Sequence, residues 1–128
     1  MPSDTSTSRE GTTQAHRTSV ESSNCDMAAF LQEALGQKLV AYTVGVSDAK
    51  TVGRWAANER TPRGENEERL RAAFYIFRLL SDVEGSHTIR AWFAGLNPLL
   101  GEEAPATAVR EGRLREAVAA AKAFISDG

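Results

Sequence analysis

Apolar side chains are nearly absent from the first 24 residues, where Ser and Thr dominate, and beyond them they recur at helical spacing. The opening stretch cannot bury enough surface to offset the entropy of ordering, so residues 1–24 are expected to be a disordered tail. Met27, Phe30, Leu31, Ala34 and Leu35 then fall at i, i+3, i+4, i+7 and i+8, the single stripe of an amphipathic helix. Asn24 or Asp26 is expected to cap its start and Gly36 to end it. A short second helix is expected from Lys38 to Val44, with Leu39, Val40 and Thr43 or Val44 inward and Gly45 supplying the turn. Ser47 is placed to cap a third helix, with Asp48 in its first turn, Val52 and Trp55 facing the core, and its end near Asn58 before the Thr61-Pro62 break.

A long helix is expected over Glu65–Val83, with an acidic first turn suited to the helix dipole. Its stripe is Leu70, Ala73, Phe74, Phe77 and Leu80, broadened by Tyr75 and Ile76. Gly85 stops it, and Ser86 is placed to cap a helix over His87–Gly95 that buries Ile89, Trp92 and Phe93. After Asn97-Pro98 and a loop, Pro105 opens a short helix ending at Gly112. A last helix from Arg113 to about Phe124 buries Leu114, Val118, Ala121 and Ile125. No segment alternates as a strand does. The expected fold is all-α, with a tail over 1–24, a helix-turn-helix unit over 25–84 and a small helical unit over 85–128.

Composition narrows the functional classes. The chain has 128 residues, 41% of them hydrophobic, enough for one modest domain or two very small ones sharing a core. No run approaches the ~18 to 20 apolar residues of a membrane span, and no secretory signal opens the chain. The lone Cys25 cannot form an internal disulfide, which suits a reducing, cytoplasmic setting. No His–Asp constellation accompanies it, no spacing suits a metal, and no phosphate loop is present, so neither enzyme chemistry nor a cofactor is expected.

Net charge is only −2, but its distribution is uneven. Lys38, Lys50, Arg54, Arg60 and Arg63 stand against Asp48 and Glu59 within residues 36–63, a local excess of +3, whereas residues 1–35 and 64–128 are both net negative. The positive segment coincides with the two short helices and their turn, the arrangement by which a helix-turn-helix reads DNA. With Val52 and Trp55 inward, Ala49, Lys50, Gly53 and Arg54 form the free face of the recognition helix. Lys50 and Arg54 are candidate guanine readers, Arg54 through its planar fork. Thr51 suits a phosphate or a thymine methyl. Gln37, at the start of the preceding helix, and Lys38, Arg60 and Arg63 suit phosphates. Glu59 beside them repels phosphate unless it pairs with Arg60 or Arg63. One such motif makes few base contacts, so a homodimer on double-stranded operator DNA is expected.

The alanine-rich C-terminal helix (Ala117, Ala119, Ala120, Ala121, Ala123) either packs closely on a partner or simply favours helix. The order WFAGLNPLLGEEAPATAVREGRLREAVAAAKAFI, with Trp92, Asn97, Leu100, Pro105 and Gly112, resembles the toxin-binding domain of the Xre/MbcA/ParS antitoxins. The segment TVGRWAANERTPR, followed by the long helix from Leu70, resembles their Xre-like helix-turn-helix. The chain departs from that pattern at Ala108, where a large aliphatic residue is usual, and at Gly101-Glu102, where two glycines are common. The resemblance implies a bacterial type II antitoxin that blocks a RES-domain, NAD-consuming toxin and represses its own operon. By the same resemblance the C-terminal segment covers the toxin's cleft, which assigns Arg113, Lys122, Phe124, Ile125, Ser126, Asp127 and Gly128 to the partner. Any NAD chemistry then belongs to the toxin. A stand-alone transcriptional regulator with a C-terminal dimerisation or partner-binding domain is the alternative, followed by an interaction protein that no longer binds DNA.

Overall fold

A computed structural model describes residues 23–127, and every regular element among them is helical. Helix α1 covers residues 23–35, α2 Gln37–Val44, α3 Lys50–Ala56, α4 Gly64–Leu80, α5 Ser86–Ala94, α6 Pro105–Arg110 and α7 Leu114–Asp127. A single 3-10 turn, Pro98–Leu100, lies between α5 and α6. An isolated bridge between Asn97 and Glu103 is the one strand-like pairing among the described residues. The expected tail over 1–24 lies outside the described residues except for Ser23 and Asn24, which are already helical.

Starting α1 at or before residue 23 means that neither Asn24 nor Asp26 caps it. Asn24 is instead buried, and its amide donates to Glu67 on α4 at 3.0 Å, tying the first helix to the longest one. Gly36 ends α1 as expected, at φ +91°, a backbone conformation that glycine adopts without strain. Gly45 likewise ends α2, at φ +88°. Ser47 does not cap α3: Ala49 occupies the cap position without a side-chain bond, and just before it the Asp48 carboxylate accepts from the backbone N–H of Lys50 at 3.0 Å. The third helix stops at Ala56, two residues early, and Asn58 turns the chain at φ +62°. At the start of α5, Gly85 rather than Ser86 occupies the cap position and no side chain bonds there.

One apolar core runs through both expected units. Leu31 and Leu35 of α1, Val40 and Val44 of α2, Val52 and Trp55 of α3, and Leu70, Ile76, Phe77 and Leu80 of α4 share it with Ile89, Phe93, Leu100, Val109 and the alanines of α7. The central α4, about 25 Å long at 1.5 Å per residue, packs against α2 on one side and α7 on another. At the second contact the buried α7 residues are Ala117, Ala120 and Ala121, small enough for the two axes to approach closely. Leu114, Val118 and Ile125, expected inside, reach only the margin of the core and stay half-buried. Phe30 (41% exposed) and Tyr75 (49%) are likewise more open than their place in the periodic stripe implies. Phe30 packs edge-on against Phe74 and Phe77, with ring centroids 5.6 and 5.0 Å apart.

Candidate functional site

The positive segment builds one exposed ridge. Successive residues of α3 rotate by about 100°, which puts Lys50 and Arg54 on one side and Val52 and Trp55 on the buried one. Both cations are exposed. Thr51 stands half-buried on one flank of the ridge. There it lines a groove of about 600 Å³ with Trp55, Glu59, Arg60 and Arg63. Arg60 and Arg63 are therefore brought to the recognition-helix side, as expected, and so is the opposing Glu59.

The other flank differs from the sequence reading. Gly53 was expected on the free face, yet the Gln37 amide lies over it: a Cβ at Gly53 would sit 2.8 Å from Gln37 Nε2. Gln37 in turn donates to Gln32 of α1 at 2.8 Å. Ala49 is also half-buried, in a second groove of about 460 Å³ that includes Lys38, Tyr42, Ser47 and Arg110. The absence of a side chain at Gly53 is thus what lets the start of α2 close onto α3.

The turn is fixed from two sides at the C-terminal end of α2, where unpaired carbonyls concentrate negative charge. From α4, the Asn66 amide donates to the Val44 carbonyl at 2.8 Å, and the Arg69 guanidinium lies where a Cβ on Gly45 would fall. From α6, Arg110 donates to the Tyr42 carbonyl at 2.7 Å with its guanidinium 4.7 Å from the centre of the Tyr42 ring. The Tyr42 hydroxyl is 2.9 Å from Thr107 Oγ1. Sequence reasoning missed Tyr42, Thr107 and Arg110, because contacts across 65 and 68 residues leave no local signal.

A second candidate face lies on α7 and the loop before α6. Phe124 is half-buried, beside a groove of about 340 Å³ lined also by Trp92, Pro98, Leu99 and Ala123. Leu99 is 64% exposed on its rim, and Leu96, earlier in the same loop, is 74% exposed. Around the helix, Leu114, Val118 and Lys122 border a further shallow apolar depression. Lys122, Ser126 and Asp127 are exposed and Ile125 is half-buried; Gly128 lies outside the described residues. The terminal helix continues to Asp127, so Ser126 and Asp127 belong to its last turn.

Arg113 is placed differently from the other residues assigned to a partner. Its guanidinium bonds Glu116 at 2.9 Å and Glu111 at 3.2 Å, and also bonds Glu103. Partial desolvation opposes its charge, but the hydrogen bond to Glu116 and the fields of Glu103, Glu116 and Glu111 outweigh it and hold its pKa above the ordinary value. Arg113 therefore fastens the 101–104 loop to the start of α7, with one N–H of each guanidinium nitrogen engaged inside the chain. The Cys25 thiol is half-buried and donates to the Ala56 carbonyl at 3.2 Å. No group of three metal-ligating side chains occurs among the described residues, and no helix there is long and apolar enough to cross a membrane.

No family model and no curated protein sequence matches the chain. Among solved structures, it matches a chain of the crystal structure of the M. tuberculosis MbcT–MbcA toxin–antitoxin complex, with 27% sequence identity and a TM-score of 0.68. The match covers 80% of this chain and 94% of that one. The resemblance read from Trp92, Asn97, Leu100, Pro105 and Gly112 is thereby borne out at the level of the fold: over 80% of its length this chain is similar to a chain of that toxin–antitoxin complex, as an MbcA-like antitoxin would be.

Proposed function

We propose that this chain is the antitoxin of a type II toxin–antitoxin pair, which binds and blocks a RES-type, NAD-consuming toxin through α7 and represses its own operon through α2 and α3. The observation that carries the antitoxin reading is the match to the MbcT–MbcA complex over nearly the whole of the matched chain. The partner face is supported by the open side of α7, where Leu114, Val118 and Ile125, about one and then two turns apart, share one face without full burial. A few large apolar anchors supply most of the energy of an interface, and Phe124, Ile125 and the rim residue Leu99 are of that kind. Blockade then needs no chemistry from this chain, since a rigid helix occupying the toxin's cleft excludes substrate by volume.

Operator binding is supported by the Lys50–Arg54 ridge between two grooves that carry further cations. It requires a homodimer to span two half-sites.

Co-expression with a RES-type toxin encoded beside this gene tests the reading. The chain is expected to restore growth and cellular NAD and to co-purify with the toxin. Val118→Asp, which places a charge on the half-buried stripe, is expected to lose all three effects while remaining helical by circular dichroism. Full rescue by Val118→Asp would move the partner face elsewhere, and absence of rescue by the parent chain would remove the toxin assignment.

A further inference from the structure

We infer that the groove between Lys38 and Arg110 seats a phosphate of the DNA backbone, which makes α6, in the C-terminal half, part of the nucleic-acid interface. The inference rests on the reading of α2 and α3 as a duplex-binding element and extends it to a residue outside that segment.

The geometry starts from the ridge. Lys50 and Arg54 project between two flanks, with Thr51 on one and Ala49 on the other. A helix inserted in the major groove, about 12 Å wide, has a phosphate backbone on each side of it. The Thr51 flank holds Arg60 and Arg63 with the carboxylate of Glu59 among them, a local charge of +1. The Ala49 flank holds Lys38 and Arg110 with the hydroxyls of Ser47 and Tyr42, and no carboxylate lines it. The stronger positive site is therefore the one that the positive segment alone does not complete. Asp48, the nearest acid in sequence, directs its carboxylate to the Lys50 backbone N–H of its own turn.

Arg110 is also preorganised for such a contact. Its bond to the Tyr42 carbonyl and its stacking on the Tyr42 ring fix the guanidinium before any ligand arrives. One N–H is used in that bond, and an arginine carries five. A planar fork held in place suits a phosphate better than a mobile side chain, because less freedom is lost on binding. Lys38 lies one helical turn before Tyr42 on the same side of α2, so the two charges share one groove.

The rival role for Arg110 is purely structural, as a partner for the carbonyls ending α2. Arg110→Gln separates the two, since the glutamine amide retains an N–H for the Tyr42 carbonyl and loses the charge. Full-length protein is titrated against a duplex from its own promoter and a random duplex of equal length, over 50 to 200 mM salt. Loss of one phosphate contact is expected to flatten the slope of log K against log salt by about 0.9, equally for both duplexes, which changes the salt response over that range by about 3.5-fold. Arg110→Lys is expected to restore most of the slope. Thr107→Val, which removes the partner of the Tyr42 hydroxyl, is expected to leave it unchanged. A parental slope in Arg110→Gln overturns the inference while leaving the duplex-binding reading intact. Should Arg110→Gln unfold, Lys38→Gln, at an exposed position, carries the same expected loss and the same refutation. A parent chain that binds neither duplex in a salt-dependent way overturns both readings.

Discussion

Replacing Gly53 with Ala sets two comparable effects against each other. Gly53 lies inside α3, where alanine is favoured over glycine by about 1 kcal/mol. The new methyl would fall 2.8 Å from Gln37 Nε2, closer than a real Cβ contact allows, so the Gln37 amide must leave. Because that atom ends a flexible side chain, the cost is chiefly its bond to Gln32, about 0.5 to 1.5 kcal/mol net. The two nearly cancel, and stability is expected to change by no more than about 1 kcal/mol. At this size that moves the melting temperature by no more than about 8 °C, read by thermal circular dichroism. Duplex affinity is not protected by the cancellation. The Gln37 amide is displaced from its place at the start of α2, and losing the phosphate hydrogen bond proposed for it is expected to weaken binding roughly two- to tenfold. A loss above about 2 kcal/mol would refute the argument by showing that α1, α2 and α3 are locked around Gly53 with no room for Gln37 to yield. Unchanged duplex affinity would take Gln37 out of the interface.

Gly45→Ala has no compensating gain: at φ +88° the side chain is strained and its Cβ meets Arg69 at 2.8 Å, so a destabilisation of about 1 to 3 kcal/mol is expected on urea denaturation. Arg54→Ala is expected to cost about 1 to 3 kcal/mol of operator binding and to relax preference at one base pair, measured by gel shift against single-position operator variants. Neutralising Arg60 or Arg63 is expected to weaken binding to all sequences alike and to flatten the salt dependence by about 0.9 per contact, and an unchanged slope would place them off the duplex. Deleting residues 124–128 removes two half-buried side chains, Phe124 and Ile125, from the edge of the core. A lower melting temperature with retained helicity is expected, together with complete loss of toxin rescue, and full rescue would exclude the cleft-blocking role.

The sequence by itself determined the helices and the buried face of most of them, because both follow from local periodicity. Leu31, Leu35, Leu70, Phe77 and Phe93 are buried where the 3.6-residue repeat puts them, and Gly36 and Gly45 end α1 and α2 because each requires a positive φ. The Lys50–Arg54 ridge was legible in the same way, from Val52 and Trp55 on the opposite, buried face of the helix. The motif order from Trp92 to Gly112 also carried the likeness that the fold bears out. Which side of a broad stripe is covered was left to tertiary structure. Periodicity puts Leu114, Val118 and Ile125 on an apolar face, but α4 packs on the neighbouring alanines and leaves these larger residues at the margin. The same holds for Gly53, which is free on a helical wheel and covered by Gln37 in space. Arg110 shows the limit most clearly: nothing near it in the chain connects it to α2, and only the packing of α6 brings its charge onto the Tyr42 ring and into the groove with Lys38. A side chain's neighbours along one helix are set by backbone geometry, whereas its neighbours from other helices depend on how the whole core closes.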